Sequence, residues 1–560
     1  MTPAPAAWLL KISPRLVYAV LLLPVVAGLG GTVVPALGLP DAPGFAAFRT
    51  LGAWPGLPAA MRLSLATGLA TTAVSLALTV LILASLSETR GFAVLRRMLA
   101  PLLAIPHAAA ALGLAFLISP SGWTLRVLSP WATGWDTPPD LLILNDPWGI
   151  SLSFGLIAKE VPFLLLMALA ALPQCDGARR MQVARTMGYG EVAGFCLTVM
   201  PALYRPLRLP VLAVLAYAMT SVDMGLILGP TRPPTLAVQI TLWMSEPGLA
   251  KTAIASSAAL VQLGLTLAAV LIWYLGERLA LTLCHAVTLR GWRMLAVDRI
   301  RPLISLAAAG LTLALLTAIA ALALWSVAGL WPFPADVPHS LTWAAWRDAG
   351  PSLVATSATT LTLALTVTAL ALALVLTWLQ AEYLFALPPI APLLMYLPLI
   401  VPQVCFLPGL EFVALRLNAS GGLASVAAAH LIFVLPYVYL AASGPFRAWD
   451  ARIATVAATL GATPARVFWH LRLPLLLAPL AAAAAIGEAV SVGQYLPTLL
   501  VGGGRVSTRT TEALALASGG NRRVTSAYGL LQTLWPALGF ALALTLPPLI
   551  LRRSLARGAT

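Results

Sequence analysis

The sequence predicts an all-α integral membrane protein of about twelve transmembrane helices, built as two homologous six-helix halves. Three observations predict it. The 560 residues are 60% hydrophobic and only 9% charged, with a mean hydropathy of +0.91. A soluble domain carries about 25% charged residues and has no means of covering so much apolar surface. Runs of about 20 apolar residues, the length needed to cross a bilayer, recur along the whole chain. Finally, the polar stretch Gln182 to Pro201 returns in register as Thr455 to Pro474. Gly188 then stands opposite Gly461, Phe195 opposite Phe468 and Pro201 opposite Pro474, each pair 273 positions apart (461 − 188 and 474 − 201). A common register over such a stretch, in matching apolar surroundings, argues for a duplicated chain.

Taken in order, spans are expected near 16–38, 63–86, 98–119, 149–173, 206–230 and 252–276, then 303–329, 352–379, 390–415, 422–444, 475–500 and 527–551. The first half is 1–280 with a cytoplasmic loop at 176–201, a cytoplasmic linker covers 281–301, and the second half is 302–560 with a matching loop at 449–474. The N-terminal apolar run continues to about residue 38 without a clear small-residue cleavage site, so it reads as a span rather than a signal peptide. An outer loop rich in proline and glycine follows (Pro40, Pro43, Pro55, Pro58). Pro101 and Pro106 kink the third span near its start. Trp123, Trp131, Trp135 and Trp148, in or beside the loop 120–148, suit the membrane interface. The fourth span carries Lys159 and Glu160 near its middle, and the fifth carries Asp223. In the second half, Pro388, Pro389, Pro392, Pro398 and Pro402 break the third span, as is tolerated where a helix packs within protein or lines a cavity. The fifth span of this half bears Glu488, Ser491, Gln494 and Tyr495. The glycine-rich, basic stretch 501–523 reads as a flexible outer loop.

A formal charge of +15 suggests either a nucleic-acid surface or the lysine and arginine excess of cytoplasmic loops. With the N-terminus inside, the expected cytoplasmic segments hold 22 of the 34 basic residues. Both termini are therefore expected in the cytoplasm, with lipid and not nucleic acid as the surrounding partner. The four cysteines and five histidines are scattered, without CxxC or HExxH spacing, so no metal site or disulfide framework is expected. Charges at membrane depth face a bundle interior or a water path. Lys159, Glu160, Asp223, Glu488, Ser491, Gln494 and Tyr495 are accordingly candidate pathway residues, with an interhelical ion pair as the alternative for Lys159 and Glu160.

Within the second polar copy, Pro464 is placed to open a short helix. Val467, Phe468 and Leu471 share one apolar face, flanked by Arg466, His470 and Arg472. Such a helix can set an aromatic anchor in a partner's groove, which makes Phe195 and Phe468 the expected anchors.

This pattern resembles the EAA loop of the inner-membrane permeases of binding-protein-dependent ABC importers. Ala457, Gly461, Leu473 and Pro474 match it in the second copy, and Ala184, Gly188 and Pro201 in the first, with Met200 for the leucine. The glutamate is replaced by Gln182 and Thr455. The fused twelve-span arrangement is similar to the thiamine and ferric-iron permease subgroup. The resemblance implies that Gln182, Ala184, Gly188, Phe195, Pro201, Thr455, Ala457, Gly461, Phe468 and Pro474 dock two copies of a separate ATPase, and that a periplasmic or extracellular solute-binding protein delivers the solute. It further implies no enzyme activity and no cofactor in this chain, with ATP on the partner. Consistently, the sequence has no GxxxxGK[ST], and none of its three lysines follows a glycine. Acidic pathway groups would suit a small cation such as thiamine, a polyamine or a metal ion. The rival is an ion-gradient-driven secondary transporter, which shares spans and repeats but has no need of two matched cytoplasmic loops. A scaffold or receptor leaves the broken helices unexplained.

Overall fold

The computed structural model describes residues 5–39, 43–388 and 392–558. Pro40 and Pro389, expected above in a loop and at a helix break, lie outside the described residues. Among those described there is no β-strand, only one isolated bridge between Ala328 and Leu341. Among the described residues ten helices are long and apolar enough to cross a membrane, or up to twelve if each of two bent pairs forms one span. The first half runs Pro5–Ala36, Leu57–Leu86, Arg90–Ala104 with His107–Ile118, Ile150–Ala171, Met200–Thr220 and Leu249–Leu289. The second runs Arg301–Val327, Gly350–Phe385, Pro392–Ile400 with Gln403–Arg416, Leu423–Arg447, Leu477–Gly493 and Arg522–Gly558.

Within each half the second, fourth and fifth spans pack on one another: Leu57–Leu86 against Ile150–Ala171 and Met200–Thr220, and Gly350–Phe385 against Leu423–Arg447 and Leu477–Gly493. The first span of each half crosses over instead. Pro5–Ala36 lies along Gln403–Arg416, and Arg301–Val327 lies along His107–Ile118. Small residues permit these close crossings, because little other than backbone approach drives helix association in lipid. Gly31 faces the backbone of Gly409, Gly28 faces Phe406, and Gly113 faces Ala318. Thr32 Oγ1 adds a hydrogen bond to Cys405 O at 2.9 Å.

Four helix breaks meet where the halves touch. Pro106 and Pro402 each open the second part of a third span, in extended backbone. The fifth spans break at Ser221 (φ −64°, ψ 110°) and Gln494 (φ −70°, ψ 110°), positions 273 apart (494 − 221). Beyond them lie the short helices Val222–Leu228 and Leu496–Gly502. Val222, Val404 and Leu496 share one apolar core, and Gly493 lies against Pro106.

Two sequence expectations change. The sixth helix runs on to Leu289, well into the segment read as linker; its residues 277–289 contain no proline or glycine to stop it. Residues 501–523 are not a flexible loop, since they contain the helix Arg509–Ala517, capped by Thr508 and Thr511. Arg509 is buried, donates to Leu531 O and Ser357 Oγ, and stacks on Trp535. A capping box and an aromatic platform thus outweigh the nearby glycines.

Candidate functional site

Two places concentrate the features singled out above. The first is the pair of polar loops. Helix Gly177–Thr186 is followed by Gly188 at φ +82°, and helix Ala451–Thr459 by Gly461 at φ +80°. Both glycines close a helix in the left-handed region that other residues enter only with strain. Tyr189 N donates to Ala184 O and Ala462 N to Ala457 O, at 3.1 and 3.0 Å. Ala184 and Ala457 are buried beneath these closures. Short helices then begin at Glu191 and Pro464, and one wide turn follows in each, Phe195–Val199 and Phe468–Arg472. The starts of the short helices and of the wide turns each differ by 273 between the copies (464 − 191, 468 − 195).

The aromatic residues that open the wide turns face inward. Phe195 is buried with Val192, Val199 and Leu83, and Phe468 is half-buried against the core around Trp378. Neither ring projects as the expected anchor. Arg472 is also buried, held over Phe446 and Tyr383 with a hydrogen bond to Phe446 O, and does not flank an exposed face. What the loops expose is a different apolar set. Val183 and Met187 are each 53% exposed, and their counterparts Val456 and Leu460 are 60% and 83% exposed. Each pair is spaced i, i+4 and so lies on one helix face. The signal was present in the sequence as an apolar pair at the same i, i+4 positions of both copies. Gln182 and Thr455 are exposed beside these pairs, while Pro201 and Pro474 are half-buried at the re-entry into the bundle.

The second place is the junction of the helix breaks. Lys159 and Glu160 diverge there. Lys159 Nζ donates to Leu102 O at 2.9 Å and Ile105 O at 2.5 Å. Leu102 O has no helical partner because residue 106 is a proline without N–H. Glu160 Oε1 instead lies 3.4 Å from His107 Nε2. The His107 ring packs on Tyr217, with centroids 4.7 Å apart. Tyr217 and Ser221 hydroxyls donate to Asp223 Oδ1 at 3.2 and 3.0 Å. From the second half, Tyr437 sets its ring against Phe163 of the helix that carries Glu160, with centroids 6.5 Å apart, and Tyr495 opens the helix Leu496–Gly502 beyond the break. Glu160 and Asp223 are buried, while the His107 side chain beside Glu160 is 35% exposed.

The remaining candidates lie apart from this network. Ser491 and Thr498 hold the buried His430 through hydrogen bonds of 3.0 and 2.9 Å. Gln494 supplies the backbone break. Glu488 turns its carboxylate toward Gly539 of the last span. His107, Tyr217, Ser221 and Tyr437 were missed in the sequence, where a lone histidine or tyrosine in an apolar run carries no signal. Among the described residues no group of three or more His, Cys, Asp or Glu side chains could hold a metal ion.

No protein-family model matches the chain. It is 31% identical over 446 residues to the inner membrane ABC transporter permease protein YnjC of Escherichia coli K12, covering 79% of this chain and 78% of the relative. It is also 36% identical over 93 residues to the molybdenum transport system permease protein ModB of Mycobacterium tuberculosis, covering 17% of this chain and 35% of that protein. With its apolar helices, this places it in the inner membrane as a multi-pass transport subunit and not an enzyme. The chain belongs to the ABC transporter inner-membrane permeases.

Proposed function

We propose that this chain is the whole pore of an ABC importer of the thiamine and ferric-iron type, a fused duplication with both termini in the cytoplasm. Two copies of a separate ATPase dock on its two polar loops, and a solute-binding protein delivers the solute from the outer side. The observation that carries this reading is the paired loop geometry. Two surface helices have the same closure, the same wide turn and an i, i+4 apolar pair at each equivalent position, Val183 with Met187 and Val456 with Leu460. A symmetric motor pulling on matched loops needs such pairing; an ion-driven carrier does not. ATP-driven closure would move both loops and rock the halves about the helix breaks, provided that the motor binds the two states unequally.

The solute path runs through the junction of Glu160, His107, Tyr217, Asp223, Tyr437 and Tyr495. Two carboxylates among aromatic rings suit a small cation such as thiamine, a polyamine or a metal ion, by charge and by cation–π attraction. The test is purification of the tagged chain from its native membrane in mild detergent. Recovery of a P-loop ATPase at two copies per chain is the expected result. A stable chain that never brings an ATPase with it would turn the reading to a gradient-driven carrier. Uptake of molybdate in place of any cation would overturn the substrate class.

A further inference from the structure

The two docking loops are capped by different means. In the second, the residue before the short helix is Thr463, whose hydroxyl accepts from Arg466 N at 3.3 Å. The equivalent residue of the first is Gly190 (463 − 190 = 273), which has no side chain to cap with. The backbones are nearly alike, φ −69° and ψ 171° at Gly190 against φ −71° and ψ 157° at Thr463. The missing cap comes from elsewhere in the chain. Asp298, in the linker between the halves, accepts from Glu191 N at 3.0 Å and Val192 N at 2.9 Å. A Cβ on residue 190 would run into that carboxylate. The linker also places Arg293 over the Tyr189 ring at 4.6 Å, and Arg301 donates to Ser85 O at 2.9 Å.

We propose that Asp298 is a positioning residue for the first docking loop, so that the linker sets the presentation of one loop to the motor while the other sets its own. This rests on the docking reading above. A carboxylate on two unpaired amides at a helix start holds both the helix and the turn before it. Gly190 is then required for space, not for backbone freedom.

The test is a reciprocal rescue in the complex purified from its native membrane with its ATPase. Asp298→Ala removes the cap, and exchange of the Glu191 and Val192 amides should accelerate roughly two- to thirty-fold. Gly190→Ser alone should also disturb the loop, by displacing the carboxylate. Gly190→Ser in the Asp298→Ala background should restore slow exchange, because the new hydroxyl caps as Thr463 does. ATPase retention and solute-stimulated hydrolysis should fall and recover in step. The proposal is overturned if Asp298→Ala leaves exchange unchanged, or if the double variant is no better than the single. Leu460→Ser, on the uncapped face of the other loop, separates the two readings. Loss of ATPase retention with Leu460→Ser but not with Asp298→Ala would remove the linker's role and keep docking. Indifference to both would remove docking itself.

Discussion

Lys159 is held by two backbone carbonyls and Glu160 by a side chain from another helix, so neighbouring charges do different work. Adjacent helical residues point about 100° apart, which is what lets one turn of helix serve both a structural break and a candidate path. Lys159→Met should leave Leu102 O and Ile105 O unpaired at a buried site. The expected cost is about 1–3 kcal/mol, seen as a lower unfolding midpoint in detergent. Glu160→Gln keeps the shape and removes the charge beside His107, so uptake should fall with the midpoint nearly unchanged. A Lys159→Met protein as stable as its parent would sink the structural assignment. Asp146 allows a pH prediction outside the spans. Burial alone would raise its pKa, but hydrogen bonds from Ile150 N, Ser151 N, Ser151 Oγ and Trp148 N outweigh that and hold it below the ordinary value. A folded-state pKa below the unfolded one gives stability that is fully present above the unfolded value and is lost as pH falls through the folded one. Asp146→Asn should therefore be less stable than the parent at neutral pH, and the difference should shrink in acid; a gap that does not narrow at all as pH falls below the free carboxylate's pKa (about 4) would contradict this.

At the scale of elements, the helices proposed to dock the ATPase separate packing from presentation. Phe195 belongs to the core, so Phe195→Ala should destabilise by about 3–5 kcal/mol, and any loss of ATPase binding would follow from that. Val456→Ser with Leu460→Ser removes only exposed apolar surface. Stability should stay within about 0.5 kcal/mol, while ATPase co-purification drops; full retention of the ATPase would remove these side chains from the interface. The sequence made the loops, their glycines and the helix opening at Pro464 legible, because register and turn chemistry are local. It did not reveal which way Phe195 and Phe468 face. Each ring directly follows a helix of only four residues, Glu191–Gly194 and Pro464–Val467, which is too short for a 3.6-residue period to fix a face. The meeting of Glu160 with His107 and of Tyr217 with Asp223 was hidden for a related reason. It depends on where the breaks at Pro106 and Ser221 come together, and prolines mark a break without saying what will face it. The helix Arg509–Ala517 was masked by flanking glycines, since its anchors, Ser357 and Trp535, lie far along the chain.

Across the whole molecule, the exchange of first spans makes each half incomplete alone. Pro5–Ala36 completes the packing of Gln403–Arg416, and Arg301–Val327 completes that of His107–Ile118. The glycines at these crossings occupy equivalent places, each seven residues after its break proline (113 − 106 and 409 − 402). A chain cut between Leu289 and Leu295, after the long sixth helix has ended, severs no span. The two fragments, produced together, should therefore insert and co-purify in equal amounts, whereas either produced alone should be degraded or aggregate. Gly409→Leu tests whether the crossing is the cause. Its side chain would enter the space of Gly28 O and Thr32 N, both backbone atoms that cannot yield cheaply. In the split protein it should abolish co-purification, and in the intact chain it should lower the unfolding midpoint while leaving insertion of the spans unchanged. Fragments that stay together despite Gly409→Leu would place the adhesion between halves at the central breaks, and the rocking motion would then have to pivot elsewhere than at the junction of Glu160 and Asp223.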